Sequence, residues 1–291
     1  MTIINKIVKK VSDNQSLQAA LMLLPLAVIL VVFLITPMFS VFEKSVHPLG
    51  ADFSIEKTFT WANYQKVFSS KYLPVFLRTI TFALLTTIFC FALGYPLAYY
   101  VAMYGGKRKN IYLLLIMLPF WTSYLIRAYA WIVILRSEGI VNSLLMNMHL
   151  IHEPIRFLNT PFAVVLGLTY GFLPFMTLPL YVALEKLDKR LIEASLDLGA
   201  SPVNAFFKIV FPLSLPGVIA GSLLTFIPAV GDFVAADILG GPDTMMMGNL
   251  IQSQYLEYFD WPFGSALSFI LMSLMLIAIF TYTRAVGVEK I

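Results

Sequence analysis

Two ionisable residues stand apart in this sequence, Asp232 and Arg127, because each falls within or at the edge of a long apolar run. A charge in such a setting is costly, and where it is kept it pairs, recognises an ion or lines a path for one. Bond-making chemistry is poorly supplied by comparison. His152-Glu153-Pro154 lacks the H-E-x-x-H spacing of a zinc protease, and His47 and His149, like His152, lie outside the apolar runs. No Gly-x-Ser-x-Gly elbow and no G-x-x-x-x-G-K-[ST] phosphate loop occurs, so neither a catalytic residue nor a nucleotide, cofactor or metal site is expected in the chain itself. The chemistry these residues can do is recognition of ions.

Counting from Gly217 at about 1.5 Å per residue puts Asp232 about 22 Å along its helix. The same count from Ile111 puts Arg127 about 24 Å along another, at nearly the same depth. Three readings of Arg127 stand side by side: an ion pair with Asp232 that holds two helices in register, a side chain that snorkels to the interface, and a wall of a solute pathway. Asp237 falls near the outer surface on this count. Asp243, Glu257 and Asp260 follow in a segment without Lys or Arg, which reads as an acidic outer surface. Trp121, Tyr124, Tyr129 and Trp131 cluster around Arg127. Singly they read as interfacial anchors and together as a wall beside Pro119, with Tyr170, Pro174 and Pro179 on another helix as a similar kinked wall.

A second group of charges is of another kind. In 188–212, between two apolar runs, Asp188 can cap a helix beginning at Lys189, and Gly199 suits the left-handed position that ends it. Ser201 can cap a second helix opened by Pro202, with Pro212 and Pro216 expected to end that helix and start the next span. Glu193 and Asp197 share one edge at i, i+4, while Leu191, Ala194 and Leu198 with Ser195 make an apolar, small face. The hairpin is a compact knob with a polar rim, suited to docking.

The elements that must carry these residues follow from composition. Of 291 residues, 59% are apolar and 12% charged, and the mean hydropathy is +0.82, which excludes an ordinary soluble domain. A hydrocarbon layer takes about 20 apolar residues per helix, and six runs qualify: 21–42, 79–103, 111–135, 162–184, 215–234 and 264–282. Their length and lack of alternation favour helices over barrel strands, so the expected fold is a single all-α membrane domain over 1–291 with six transmembrane helices. Twelve of the twenty Lys and Arg fall on one side when both termini are cytoplasmic, including Lys6, Lys9, Lys10, Lys290 and the short loop Gly105-Gly-Lys-Arg-Lys109. The net charge of +4 reflects this topology and not nucleic-acid binding. The first run is too long for a cleaved signal and is read as a retained helix. The lone Cys90 has no intrachain disulfide partner. Trp61-Ala-Asn-Tyr64 reads as a short interfacial helix in the longest outer segment, roughly 43–78.

The hairpin resembles the cytoplasmic loop of the permease subunits of binding-protein-dependent ABC importers, whose pattern is Glu-Ala-Ala, three residues, Gly, nine residues, Ile-x-Leu-Pro. It stands here as Glu193-Ala194-Ser195, Gly199 and Ile209-Val210-Phe211-Pro212, with Ser195 for Ala and Phe211 for Leu. Three further stretches are similar to the spermidine/putrescine-type permeases: 119–131, Phe226-Ile-Pro-Ala-Val-Gly-Asp-Phe233, and Leu239-Gly-Gly-Pro-Asp-Thr244 with Met247-Gly-Asn249. Permeases for opines, phosphonates and ferric iron share parts of them. Asp232 stands where the polyamine permeases carry a Glu.

The resemblance implies a type I ABC importer permease in the bacterial inner membrane, importing a small cationic solute by alternating access. It implies four kinds of partner: two copies of an ATP-binding subunit that holds the nucleotide, a second permease, an extracytoplasmic solute-binding protein and the lipid bilayer. Glu193, Ala194, Asp197 and Gly199 would couple to the ATPase. Asp232, Asp237, Trp121, Tyr124, Tyr129, Trp131, Tyr170 and Arg127 would line the solute pathway. An importer of another solute and a membrane protein independent of ATP are the competing readings.

Overall fold

Apolar runs longer than the hydrocarbon layer is thick satisfy their backbone polar groups internally, and in the computed structural model they do so as helices. The structure describes residues 15–286; the lysines at 6, 9, 10 and 290 that enter the charge count lie outside them. In chain order the α-helices are α1 Gln15–Leu30, α2 Thr36–Ser45, α3 Ala62–Val67, α4 Leu73–Tyr104, α5 Lys109–Met117, α6 Tyr124–Leu135 and α7 Ile140–Asn147. There follow α8 Pro161–Glu185, α9 Lys189–Asp197, α10 Pro202–Ala205, α11 Phe211–Gly231, α12 Val234–Leu239, α13 Met247–Leu256 and α14 Trp261–Val286. The only β pairing among the described residues is the isolated bridge between Leu49 and Ile55. Five helical segments are long and apolar enough to cross a membrane, and a sixth if one bent pair counts as a single span.

That bent pair corrects the reading of 111–135 as one straight helix. α5 passes through a 3-10 turn at Leu118–Trp121, the chain extends at Thr122 and Ser123, and the run that includes α6 leaves at 89°. Pro119 has no amide to continue the α ladder, and the bend follows it. A depth for Arg127 counted along a straight helix therefore does not hold.

Proline acts differently at two other places. Val31–Ile35 and Phe206–Val210 are π turns, closed by hydrogen bonds from Thr36 N–H to Val31 and from Phe211 N–H to Phe206. Each wide turn sits just before a proline, Pro37 or Pro212, and lets the helix continue where an α ladder would meet a missing amide. Pro212 and Pro216 thus do not end the second arm of the hairpin. Residues Pro202–Gly231 run on as one helix.

The core is the packing of α4, α8 and α11 against one another, with α14 packed on α2 and α13. On the hairpin side Tyr95, Met176, Leu180, Leu184 and Val210 form one buried cluster, with Ile192 and Phe206 packed against it. At the other end Ala83, Val230, Met247, Phe263 and Leu267 form a second. Between helices, buried Asn142 fixes the segment after α7 by accepting from Ile155 N–H at 2.9 Å and donating to Ile155 O at 2.9 Å.

The segment after α12 is less acidic than its sequence suggests. Lys66 of α3 pairs with Asp260 at 3.1 Å, Lys71 shares a cleft with Glu257 and Asp260, and Arg78 donates to Met245 O at 3.3 Å. Basic residues nearly two hundred positions away in sequence are folded onto it.

Candidate functional site

Asp232 stands at a designed break. α11 ends at Gly231, Asp232 is extended at ψ 133°, and its Oδ1 accepts the Ala235 N–H at 2.8 Å, so the side chain caps the next helix, α12. Asn249 clamps the break from the side, donating to Phe233 O at 2.7 Å and accepting from Met246 N–H at 3.2 Å. Gly248 permits this closeness, since a Cβ there would lie 2.9 Å from Asp232 O. Met247 N–H donates to the buried Thr79 hydroxyl at 2.8 Å, tying the clamp to α4. Asp237 lies beyond the break, exposed on α12, so its depth does not follow from a count along α11.

Arg127 does not pair with Asp232. The ion pairs among the described residues are Lys66 with Asp260 and Lys109 with Glu185. The Arg127 guanidinium instead lies among three rings, with Cζ 5.3 Å from the centroid of Tyr124, 5.9 Å from Phe120 and 5.9 Å from Tyr170. Trp131 packs edge-on against Tyr170 at 5.5 Å. The Tyr124 ring lies within electrostatic reach of both Asp232 and Arg127. The bend after Pro119 brings Phe120 over Arg127, and α8 supplies Tyr170. The free space around Tyr124, Arg127, Trp131 and Tyr170 is about 10 Å³, which the guanidinium leaves nearly full.

The structure therefore brings Tyr124, Arg127, Trp131 and Tyr170 together, with Asp232 beside Tyr124. It turns Trp121 and Tyr129 outward, 71% and 60% exposed. Sequence reasoning missed Phe120 and the glycines that admit these contacts. Its one available signal for Phe120 was the Pro119 and Thr122-Ser123 punctuation, which marks a break that folds the chain back.

The hairpin is built as its residues predict. Asp188 Oδ1 accepts the Arg190 N–H at 3.0 Å, and Ser201 Oγ accepts the Asn204 N–H at 3.3 Å with Pro202 in the first turn. Gly199 has φ +86°, a conformation L side chains rarely adopt. Glu193, Ala194, Asp197 and Gly199 are all exposed, as are Leu191 and Leu198. The inner face is Ile192 and Ser195. The root is aromatic: Phe206 meets Tyr95 and Tyr99 edge-on, each at 5.7 Å, and the Tyr95 hydroxyl bonds Ser214 Oγ at 2.9 Å. The hairpin root is therefore packed directly on α4 and α11. An apolar groove of about 810 Å³ between α8 and α11 opens beside it, away from Asp232.

Residues 94–286 match the family model described as binding-protein-dependent transport system inner membrane component. The chain belongs to that family. It is 46% identical over 226 residues to the spermidine/putrescine transport system permease protein PotB of Haemophilus influenzae, covering 78% of this chain and 79% of that one. It is 42% identical over 231 residues to PotB of Escherichia coli K12, covering 79% and 84%. Among solved structures, a chain of the bacterial alginate ABC transporter in complex with an alginate pentasaccharide-bound periplasmic protein superposes with a TM-score of 0.76 at 18% identity, over 95% of each chain. A chain of the MetNI methionine transporter gives 0.56 at 19% identity, over 75% of this chain and 98% of that one.

The permease is thus an all-helical, multi-pass inner-membrane component of an ABC transport system with the fold of ABC importer permeases, and a membrane protein independent of such a system is excluded. Of the similar stretches, 226–233 runs into the Asp232 break and 247–249 clamps it, while 239–244 forms the turn after α12, held by Gly241 and Thr244. Their resemblance is one of architecture as much as of chemistry.

Proposed function

We propose that this permease is one half of the membrane pathway of a polyamine importer, taking spermidine- or putrescine-like cations from an extracytoplasmic binding protein. The observation that carries the reading is the 46% identity to the Haemophilus influenzae spermidine/putrescine permease over most of both chains. The site supports it: a carboxylate at a helix break and a box of aromatic faces are the groups that recognise alkylammonium ions. An anionic solute such as a phosphonate finds no comparable welcome beside Asp232.

A second permease completes the pathway, since one chain of five or six spans supplies half of it. Two ATP-binding subunits supply energy, and this chain binds no nucleotide or other cofactor. The exposed Glu193 and Asp197 meet basic groups on the ATPase, with Leu191 and Leu198 as apolar contacts. Closure of the ATPase then turns Ile192 and Phe206 against the α4, α8 and α11 core, switching access from outside to inside. On this reading the hairpin and both termini face the cytoplasm, in keeping with the basic loop at 107–109.

The test is uptake of radiolabelled spermidine and putrescine into vesicles holding the complete complex, binding protein and ATP. Saturable uptake that requires this chain is expected. No polyamine uptake by a complex whose ATPase is active would overturn the solute and leave the importer.

A further inference from the structure

In the box around Arg127 a cation already sits where a cationic solute would be recognised. Three rings surround it at 5.3 to 5.9 Å, and each wall is braced from behind. Trp131 backs Tyr170 at 5.5 Å and Phe175 backs Phe120 at 5.3 Å. Tyr124 packs on α8 at Gly171, where a Cβ would stand 3.1 Å from the ring. Each ring thus has packing partners other than the guanidinium.

The occupant, by contrast, is poorly satisfied. Arg127 Nε and Nη1 are buried without a hydrogen-bond acceptor, and no carboxylate pairs with the group among the described residues. The Tyr124 hydroxyl is buried on the Asp232 side of the box and interacts with that carboxylate. Burying a charge without a counter-charge is expensive, and aromatic faces recover only part of the cost. An ammonium group entering between the box and Asp232 brings the rings the same charge and also meets a carboxylate that the guanidinium does not reach. A solute with two or more ammonium groups can place one at each.

We propose that Arg127 is a tethered cation that fills the aromatic box in the solute-free permease, and that the transported amine must displace it to pass. Arg127 then sets a threshold that a polycation crosses more readily than a singly charged solute. This inference rests on the polyamine reading above.

The test measures binding of radiolabelled spermidine to the purified permease and ATPase complex without the binding protein. Removing the tethered cation with Arg127→Met should lower Kd about tenfold, the size expected for a desolvated cation on aromatic faces. Adding Tyr170→Leu, which takes away one wall, should restore the weaker value. Arg127→Gln is the second neutral variant, with assembly of each followed by co-purification of the ATPase subunit. Binding by either neutral variant no tighter than wild type, or tightening that survives loss of the Tyr170 ring, overturns the proposal. Wild-type uptake decides the polyamine reading separately. Should the wild type import no polyamine, methylguanidinium and tetramethylammonium become the probes, and the same tenfold criterion applies to the box.

Discussion

At the scale of single residues, Asp232 does two jobs that substitution can separate. Its Oδ1 caps α12 through the Ala235 N–H, and its charge is available to a cation. Asp232→Asn keeps an acceptor for the cap and removes the charge, so the complex should melt as wild type while half-maximal uptake moves to higher solute concentration. Asp232→Ala loses both and should in addition cost about 1 kcal/mol of stability, the usual value of an N-cap. Thermal denaturation of the two variants side by side checks this, and equal melting of Asn and Ala would remove the cap from the account. Arg127 shows why an ion pair cannot be read from matching depths along two helices. The depth count assumed a straight helix, and the 89° bend re-aims the side chain into the rings.

At the scale of elements, the hairpin turns on a left-handed glycine and is aromatic where it is rooted. Gly199 at φ +86° should tolerate Ala at a cost of about 1 to 2 kcal/mol per left-handed residue. Gly199→Ala should therefore yield a folded permease that retains less ATPase on co-purification. Glu193→Gln leaves the turn intact and removes only the exposed charge, so assembly should persist while transport-linked ATP hydrolysis falls. Unchanged uptake by Glu193→Gln would take Glu193 out of the coupling role. The two π turns belong to this scale as well: each absorbs a proline that would otherwise interrupt a span, and the one at Phe206–Val210 lies on the line from hairpin to core.

At the scale of the whole molecule, orientation is the testable property. Cys90 is the single cysteine and is fully buried, so engineered cysteines report sidedness on a nearly native background. Lys107→Cys should react with a membrane-impermeant maleimide from the cytoplasmic side, and Glu257→Cys from the outside. Labelling with the opposite sidedness would invert the topology and detach the hairpin from a cytoplasmic ATPase.

Class, number of apolar runs and the capped hairpin were all legible in the sequence, because each rests on local rules: segment length against bilayer thickness, caps beside the residues they cap, and a glycine where φ is positive. Asp188, Gly199 and Ser201 act within three residues of their own positions, and such contacts survive whatever the rest of the chain does. What the tertiary structure decided is non-local. It chose where a proline bends a span, as at Pro119, and where a π turn carries the helix past one, as at Pro37 and Pro212. It laid Lys66 and Lys71 on a segment that reads as acidic. It also set Arg127 among Phe120, Tyr124 and Tyr170 and apart from Asp232. The physical reason is the same in each case: the energy of a charge depends on what surrounds it in space, and those neighbours come from helices whose packing no single segment specifies.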